Sequence, residues 1–298
     1  MDAHGSPPWP PASADRSLPV VPQPRQPTET PMVRFVSAPR PARRVPRVLV
    51  ITVVGVLLVA AFGLGARWYA STIAFGPPAG REEARVPLGS PPLESDLDHG
   101  PHAFTQLQDD GTTPVAYDPC RPIHYVVRAA GQPDGADALV AAAVDRVSHA
   151  TGLQFLDDGA TTEGPSSKRA AYQPDRYGKR WAPVLVTWSN ATETPQLGGD
   201  VAGLGGSASV HRDGVDVYVT GAVTLDAEEI TRLMATPNGS AVALGVVTHE
   251  FGHLVGLDHV DDPTQLMYPS TNLAVTSFAA GDREGLALLG QGRCTPDA

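Results

Sequence analysis

From His249 to His259 the chain reads HEFGHLVGLDH, and this stretch decides how the sequence is interpreted. His249 and His253 are four residues apart, so on a helix they project from one face and can share a metal ion. Glu250 lies between them, where it can take a proton from a metal-activated water. Gly256 can end the helix and turn the chain back, which delivers His259 as a third nitrogen ligand. Three neutral imidazoles and one open coordination position are typical of a catalytic zinc site.

A second motif follows at residues 266–269, which read LMYP, with the methionine eight residues after the third histidine. Together the two motifs resemble the metzincin metalloproteases, in which a Met-turn lies beneath the metal, and within them the matrixins of the peptidase M10 type. The resemblance implies one catalytic zinc held by His249, His253 and His259, with Glu250 as the general base. It implies that Met267 is a structural residue of the Met-turn and that the substrate is a protein or peptide.

The order of predicted elements is that of a matrixin-like catalytic domain, and the resemblance covers about residues 120–292. We therefore expect an α+β fold with a twisted mixed sheet and three helices. Hydrophobic periodicity and turn signals predict strands at 123–128, 153–156, 184–188, 202–210 and 215–223. The helices are predicted at 136–150, at 240–255 with Ser240 as N-cap, and at 280–289. The polar segment 157–181 is expected to be a loop.

The sequence departs from the matrixin pattern at two kinds of position. The second, structural zinc of matrixins is not carried over, because only His211 lies in the corresponding region. Calcium is possible, but its ligands are not identifiable, although Asp200, Asp213 and Asp216 lie nearby. Thr271 stands where matrixins often have a tyrosine in the wall of the specificity pocket, so the cleavage preference stays open.

Charge is divided unevenly along the 298 residues. Residues 1–47 hold 12 of the 30 prolines and carry a net charge of +4, whereas residues 68–298 carry −15. A Pro- and Arg-rich tail without apolar periodicity is expected to be disordered. A basic tail before an acidic body indicates two compartments and gives no indication of nucleic-acid binding.

The segment between these two regions predicts a membrane anchor. Residues 48–66 contain no charge and span roughly 28 Å as a helix, close to the thickness of a bilayer core. Four arginines within residues 40–47 precede this segment, and Arg67 alone follows it. We therefore expect a transmembrane signal-anchor helix at 48–67, with the tail cytoplasmic and residues 68–298 extracellular. The alternative is a cleaved secretory signal followed by secretion.

Beyond the anchor, residues 68–101 are rich in Pro and Gly and predict a linker, and residues 102–298 form the predicted metalloprotease domain. Cys120 and Cys294 are the two cysteines of the chain. An even number on the exported side suggests one disulfide, with two free thiols as the alternative. A third possibility, that Cys120 blocks the zinc in a latent form, lacks the flanking residues of that motif.

These observations predict a membrane-anchored extracellular zinc metalloendopeptidase. The alternative is a zinc-containing surface protein that binds a partner without proteolysis. The intact Glu250 favours the enzyme, because a binding protein needs no proton acceptor at that position. The oligomeric state and the natural substrate are not predicted.

Overall fold

The computed structural model describes residues 84–93 and 98–295. The predictions for the tail at 1–47, the anchor at 48–67 and the start of the linker fall outside these residues. Within them, no helix has both the length and the apolar character that a membrane span requires.

One six-stranded sheet forms the centre of the described part of the chain. Its strands are β1 (Ala116–Tyr117), β2 (Ile123–Arg128), β3 (Phe155–Ala160), β4 (Val184–Ser189), β5 (Gly203–Arg212) and β6 (Val215–Asp226). The order is β3-β2-β4-β6-β5, and the short β1 pairs with the beginning of β6 on the same side as β4. All pairings are parallel except that of β5 with β6. The sheet is therefore mixed, as predicted.

The described residues form three long α-helices, two short ones and a 3₁₀ helix at Pro195–Leu197. The α-helices are α1 (Asp137–Thr151), α2 (Pro174–Tyr177), α3 (Ala227–Met234), α4 (Gly239–Val255) and α5 (Ala280–Leu289). The three long helices α1, α4 and α5 lie within one residue of their predicted ends. The prediction of Ser240 as N-cap is wrong: α4 begins one residue earlier, after Asn238, whose φ is 60°, and no side chain caps it.

Helices α2 and α3 were not predicted. Residues 174–177 lie within the expected loop. In α3 the carboxylate of Asp226 accepts a hydrogen bond from the backbone N–H of Glu229, at 2.9 Å. An Asp three residues before a Glu is a known signal for a helix start, and it could have predicted this helix.

The core lies between the sheet and the long helices. Helix α1 packs against α4, and α4 also packs against strand β5. One apolar cluster joins the three layers, with Val147 of α1, Val186 of β4, Phe251 of α4 and Leu286 of α5 completely buried. Burying a side chain of this size contributes about 1.5–3 kcal/mol. The metal-binding motif therefore lies on one of the best-anchored helices of the fold.

The hairpin β5–β6 is close to its prediction. Its two turn residues, Asp213 and Gly214, have φ values of 49° and 79°, and a two-residue type I′ turn needs positive φ at both positions. Strand β3 is less close, because it begins at Phe155 and runs to Ala160 through residues that were expected to be a loop. Five of its six residues are exposed, so it has none of the apolar pattern that marks a buried strand.

The segment 161–183 is more ordered than a polar loop. Arg169 is buried there and forms an ion pair with Glu163 at 2.9 Å. Its guanidinium also donates to the carbonyls of Pro183 and Gly221, where β1 and β4 leave a gap beside β6. These contacts close that gap in the sheet. We call this group the Arg169 cluster; its side chains are Glu163, Arg169, Gln173, Tyr177 and Thr220.

The predicted disulfide is present between Cys120 and Cys294, whose Cα atoms are 5.3 Å apart. The described part of the expected linker also contacts the domain, since the N–H groups of Ala84 and Leu88 donate to the carbonyls of Cys120 and Pro119. Residues 84–93 therefore lie against the fold instead of standing free of it.

Candidate metal centre

The structure brings the three predicted histidines together. The Nε2 atoms of His249 and His253 are 3.1 Å apart, those of His253 and His259 are 3.0 Å apart, and those of His249 and His259 are 3.2 Å apart. The rings of His249 and His253 stand at 83° to each other. Three nitrogens therefore surround one point from different directions.

Helix α4 and the turn after it produce this arrangement. His249 and His253 project from successive turns of the helix. Gly256 ends the helix with a φ of 123°, a conformation that glycine adopts far more readily than other residues. A Cβ atom at Gly256 would also lie 2.9 Å from Cδ2 of Leu289. The chain then turns back, and the N–H of Asp258 donates to the carbonyl of Ala103, which places His259 opposite the helix.

Backbone carbonyls orient the two helical imidazoles. Nδ1 of His249 lies 2.7 Å from the carbonyl of Leu266, and Nδ1 of His253 lies 2.8 Å from that of Leu257. Only a protonated Nδ1 can donate to a carbonyl, so this network assigns the proton to Nδ1 and leaves a lone pair on Nε2. This is the arrangement that metal-binding histidines need, with the second nitrogen held by a hydrogen bond.

Burial keeps the histidines neutral. It lowers the pKa of His249 to about 4 and lowers that of His253 well below the ordinary value. The pKa of His259 is lowered by the same cause. A neutral imidazole is the form that binds a metal ion.

The geometry fits a zinc ion. Zinc takes histidine nitrogens at about 2.0–2.1 Å in a tetrahedral arrangement, which places neighbouring nitrogens roughly 3.3 Å apart. The observed separations of 3.0–3.2 Å are close to that value. In His249 and His253 two lone pairs also face each other, which is unfavourable unless a cation lies between them.

A second group of potential ligands is present in the described ranges, formed by Asp118, Cys120 and Cys294. It offers no metal site, because the two cysteines are bonded to each other. The carboxylate of Asp118 is also occupied, since it accepts hydrogen bonds from the N–H groups of Cys120 and Thr295. The three aspartates considered for calcium form no such group in the part of the chain that the structure describes.

Met267 of the predicted Met-turn is buried against helix α4. It is 1% exposed, and a Cβ atom at Gly252 of α4 would lie 2.7 Å from its Sδ atom. The methionine thus packs directly on the helix between the two histidine turns.

Sequence reasoning missed the residues that hold this turn. The carboxylate of Asp282, at the start of α5, accepts hydrogen bonds from the N–H groups of Leu266 (2.7 Å) and Met267 (3.3 Å). In return, Oε1 of Gln265 accepts from the N–H groups of Gly281 and Asp282. Neither residue belongs to a motif, and each partner is 15 to 17 residues away. The spacing of the sequence gives no signal for them.

Glu250 lies against strand β5. It is 6% exposed, and burial raises the pKa of its carboxyl to about 8. A hydrogen bond from the backbone N–H of Gly205 acts in the opposite direction. The carboxylate is therefore held between helix α4 and an edge strand.

Comparison with known proteins supports the resemblance for part of the chain. The matrixin family (peptidase M10) matches residues 188–289, which include β5, β6, the histidines and the Met-turn. No curated protein matches the chain. The six-stranded sheet differs from the five-stranded arrangement of matrixins.

Two solved structures are similar at low identity. Archaemetzincin from Methanopyrus kandleri is 17% identical, with a TM-score of 0.36, over 56% of this chain and 93% of that one. The GM1-bound form of the ECX AB5 holotoxin is 10% identical, with a TM-score of 0.38, over 67% of this chain and 96% of that one. Scores this low do not establish a shared fold. The matrixin match and the histidine geometry support a metzincin-like domain.

Proposed function

We propose that the chain is a zinc-dependent metalloendopeptidase that hydrolyses peptide bonds in protein or peptide substrates. The observation that carries the proposal is the convergence of three imidazole Nε2 atoms, 3.0–3.2 Å apart, with the buried Glu250 directly after the first histidine on helix α4. The matrixin match over residues 188–289 supports it.

In this proposal His249, His253 and His259 hold the ion, and Met267 packs beneath them without binding it. When bound, zinc supplies Lewis acidity, which lowers the pKa of a water molecule and polarises a substrate carbonyl. Glu250 accepts the proton of the attacking water and delivers it to the amine that leaves. The carbonyls of Leu257 and Leu266 hold the helical imidazoles in one tautomer throughout.

Strand β5 is the proposed surface for the substrate backbone. Among the described strands it pairs only with β6, so its other edge is unpaired. Its first half is rich in glycine, and small side chains leave backbone N–H and C=O groups accessible. An extended peptide can add to such an edge as a further strand.

The rival is a zinc-containing surface protein that binds a partner without cleaving it. The buried Glu250 favours the enzyme. Desolvating a carboxylate is costly, and a binding protein gains nothing from a proton acceptor beside the histidines.

The location is proposed from the sequence, with residues 48–66 as the membrane anchor and residues 68–298 outside the cell. The disulfide Cys120–Cys294 is compatible with this, since disulfides persist in oxidising compartments. A tag fused before Met1 should resist protease added to intact cells, while the domain or its linker is digested. An accessible tag would refute this orientation, and a chain released intact into the medium would favour secretion.

The catalytic proposal is tested by activity and metal content on the same sample. The purified full-length chain should contain about one zinc, cleave an unfolded protein substrate, and lose both properties with a chelator. Glu250→Gln should keep its zinc and lose ~10²–10⁴-fold in activity. His253→Ala should lose zinc. A wild-type chain that holds zinc and cleaves nothing would favour the binding protein.

A further inference from the structure

Strand β5 lies unusually close to Glu250. A Cβ atom at Gly203 would lie 2.6 Å from Cγ, 2.9 Å from Cδ and 3.0 Å from Oε1 of Glu250. These are the three nearest heavy atoms to that position, and all belong to one side chain. Carbon atoms in ordinary contact are 3.5–4.0 Å apart, so any side chain at Gly203 would push the carboxylate away.

The next residues on the same face of β5 continue the contact along α4. A Cβ atom at Gly205 would lie 2.0 Å from the carbonyl oxygen of Glu250. The backbone N–H of Gly205 acts to lower the pKa of the Glu250 carboxyl, and the hydroxyl of Ser207 donates to the carbonyl of Leu254 at 2.6 Å. Residues 203, 205 and 207 of β5 therefore fit directly against one turn of the helix that carries two histidines.

The opposite face of the strand behaves differently. A Cβ atom at Gly206 would meet nothing within 4 Å. Lack of space thus requires glycine at Gly203 and Gly205 but not at Gly206. Only two positions in this glycine-rich stretch are constrained by Glu250.

We propose that β5 is a positioning element for the general base, with Gly203 and Gly205 as positioning residues. This inference rests on the proposed function. Gly203 lets the carboxylate lie directly against the strand, and Gly205 lets the backbone of Glu250 approach the strand equally closely. Because β5 is also the proposed edge for the substrate backbone, one strand would fix both the substrate and the proton acceptor relative to the histidines.

Gly203→Ala is the most direct probe. Gly203 has no positive φ, so alanine fits the backbone, and Glu250 alone supplies the closest contacts. We expect kcat to fall ~10–100-fold, because a displacement of about 1 Å in a reacting group has effects of this size. KM and zinc content should change little, since the strand edge and the histidines stay in place. Gly206→Ala should lose clearly less turnover than Gly203→Ala.

A second measurement does not depend on catalysis. Gly203→Ala should lower Tm by several degrees, because forcing an extra methyl group into a packed site destabilises it. Glu250→Ala removes the atoms that the methyl group would meet. In that background, adding Gly203→Ala should cost almost nothing, so the two substitutions should be strongly non-additive in Tm. Gly206→Ala should leave Tm close to that of the wild type in both backgrounds.

The outcomes separate the inference from the function. Equal losses of kcat or of Tm in Gly203→Ala and Gly206→Ala would overturn the positioning role. Additive Tm changes for Gly203→Ala and Glu250→Ala would overturn it as well. If the wild type cleaves no substrate, the proposed function fails, and the Tm cycle still decides whether β5 positions Glu250.

Discussion

Two polar clusters among the described residues are completed in opposite ways. In the histidine cluster (His249, His253 and His259), the tautomers set by the carbonyls of Leu266 and Leu257 leave two Nε2 lone pairs 3.1 Å apart, in His249 and His253. In the Arg169 cluster, all five N–H donors of the guanidinium meet acceptors. The acceptors are both carboxylate oxygens of Glu163, the hydroxyl of Thr220 and the carbonyls of Pro183 and Gly221.

This difference distinguishes a cluster that binds a ligand from a cluster that stabilises the fold. Acceptors that face each other repel, so the histidine cluster is complete only when a cation lies between them. The Arg169 cluster is complete by itself, and removing one member would leave a buried charge without a partner. Substitutions should therefore change metal binding in the first cluster and folding stability in the second.

The largest effect should come from Arg169→Met. It keeps much of the side-chain volume but leaves Glu163 buried without its partner and opens the gap between β1 and β4. We expect a loss of about 3–5 kcal/mol in the free energy of unfolding, measured with denaturant. The matched control is Arg176→Met in the same segment, where the side chain is exposed. Equal effects in the two variants would contradict a structural role for the cluster.

Replacing both cysteines by serine should cost slightly less. The bridge joins residues 174 apart in sequence, so it closes a loop that contains both clusters. Removing such a bridge typically costs about 2–5 kcal/mol. A reductant should lower the Tm of the wild type and leave that of the serine variant unchanged. The same Tm for both proteins without reductant would show that the disulfide contributes no stability.

The histidine cluster could be predicted from the sequence because its geometry is local. A spacing of four on a helix places His249 and His253 together, and the glycine at Gly256 marks the turn that brings back His259. The long helices and most strands could be predicted for the same reason, since the hydrophobic periodicity that marks them lies within consecutive residues.

The Arg169 cluster could not be predicted, because its partners have no fixed spacing. Arg169 meets Glu163 six residues away and Thr220 fifty-one residues away. A charged pair in a polar segment is usually solvated. The pair of Arg169 and Glu163 is buried only because it lies at the gap that β1 and β4 leave beside β6. The role of Gly203 could not be predicted for a related reason. A glycine in a strand sequence does not indicate which distant side chain packs against it.

Asp282→Asn should weaken the histidine cluster without touching a histidine. Asp282 accepts the N–H of Leu266, whose carbonyl orients His249, and an amide cannot accept all three N–H groups that the carboxylate accepts. Losing an outer partner of a metal ligand typically costs 10–100-fold in affinity. We expect that loss for zinc, measured by competition with a chelator. Asp261→Asn, an exposed residue close to His259 in sequence, is the control and should bind zinc as the wild type does.

The smallest effect is a difference in the pH dependence of stability, and it has opposite signs in two carboxyl groups. Burial alone would raise the pKa of Glu163, but hydrogen bonds from Arg169, Tyr177 and Gln173 outweigh it and leave the pKa below its ordinary value of 4.5. Between the pKa of Glu163 in the folded chain and its value of 4.5 in the unfolded chain, the unfolded chain binds more protons, so the free energy of unfolding rises with pH. The contribution of Glu163 to stability is therefore lost as the pH falls below about 4.5. In Asp282 burial prevails over its hydrogen bonds and raises the pKa above 3.8. There the folded chain binds more protons, so stability falls as the pH rises above about 3.8.

Denaturant unfolding of the metal-free chain between pH 3 and 6 would resolve the two contributions, because loss of zinc then adds nothing. Glu163→Gln should remove part of the rise of stability with pH, and Asp282→Asn should remove part of the fall. If both substitutions change the slope in the same direction, the two carboxyl groups are not held in the opposite environments that the structure shows. If the two slopes change in these opposite directions, the Arg169 cluster stabilises the charged form of Glu163 and so stabilises the fold. The charged form of Asp282 then lowers stability, and we attribute its presence to its hydrogen bonds with the Met-turn beside the metal site.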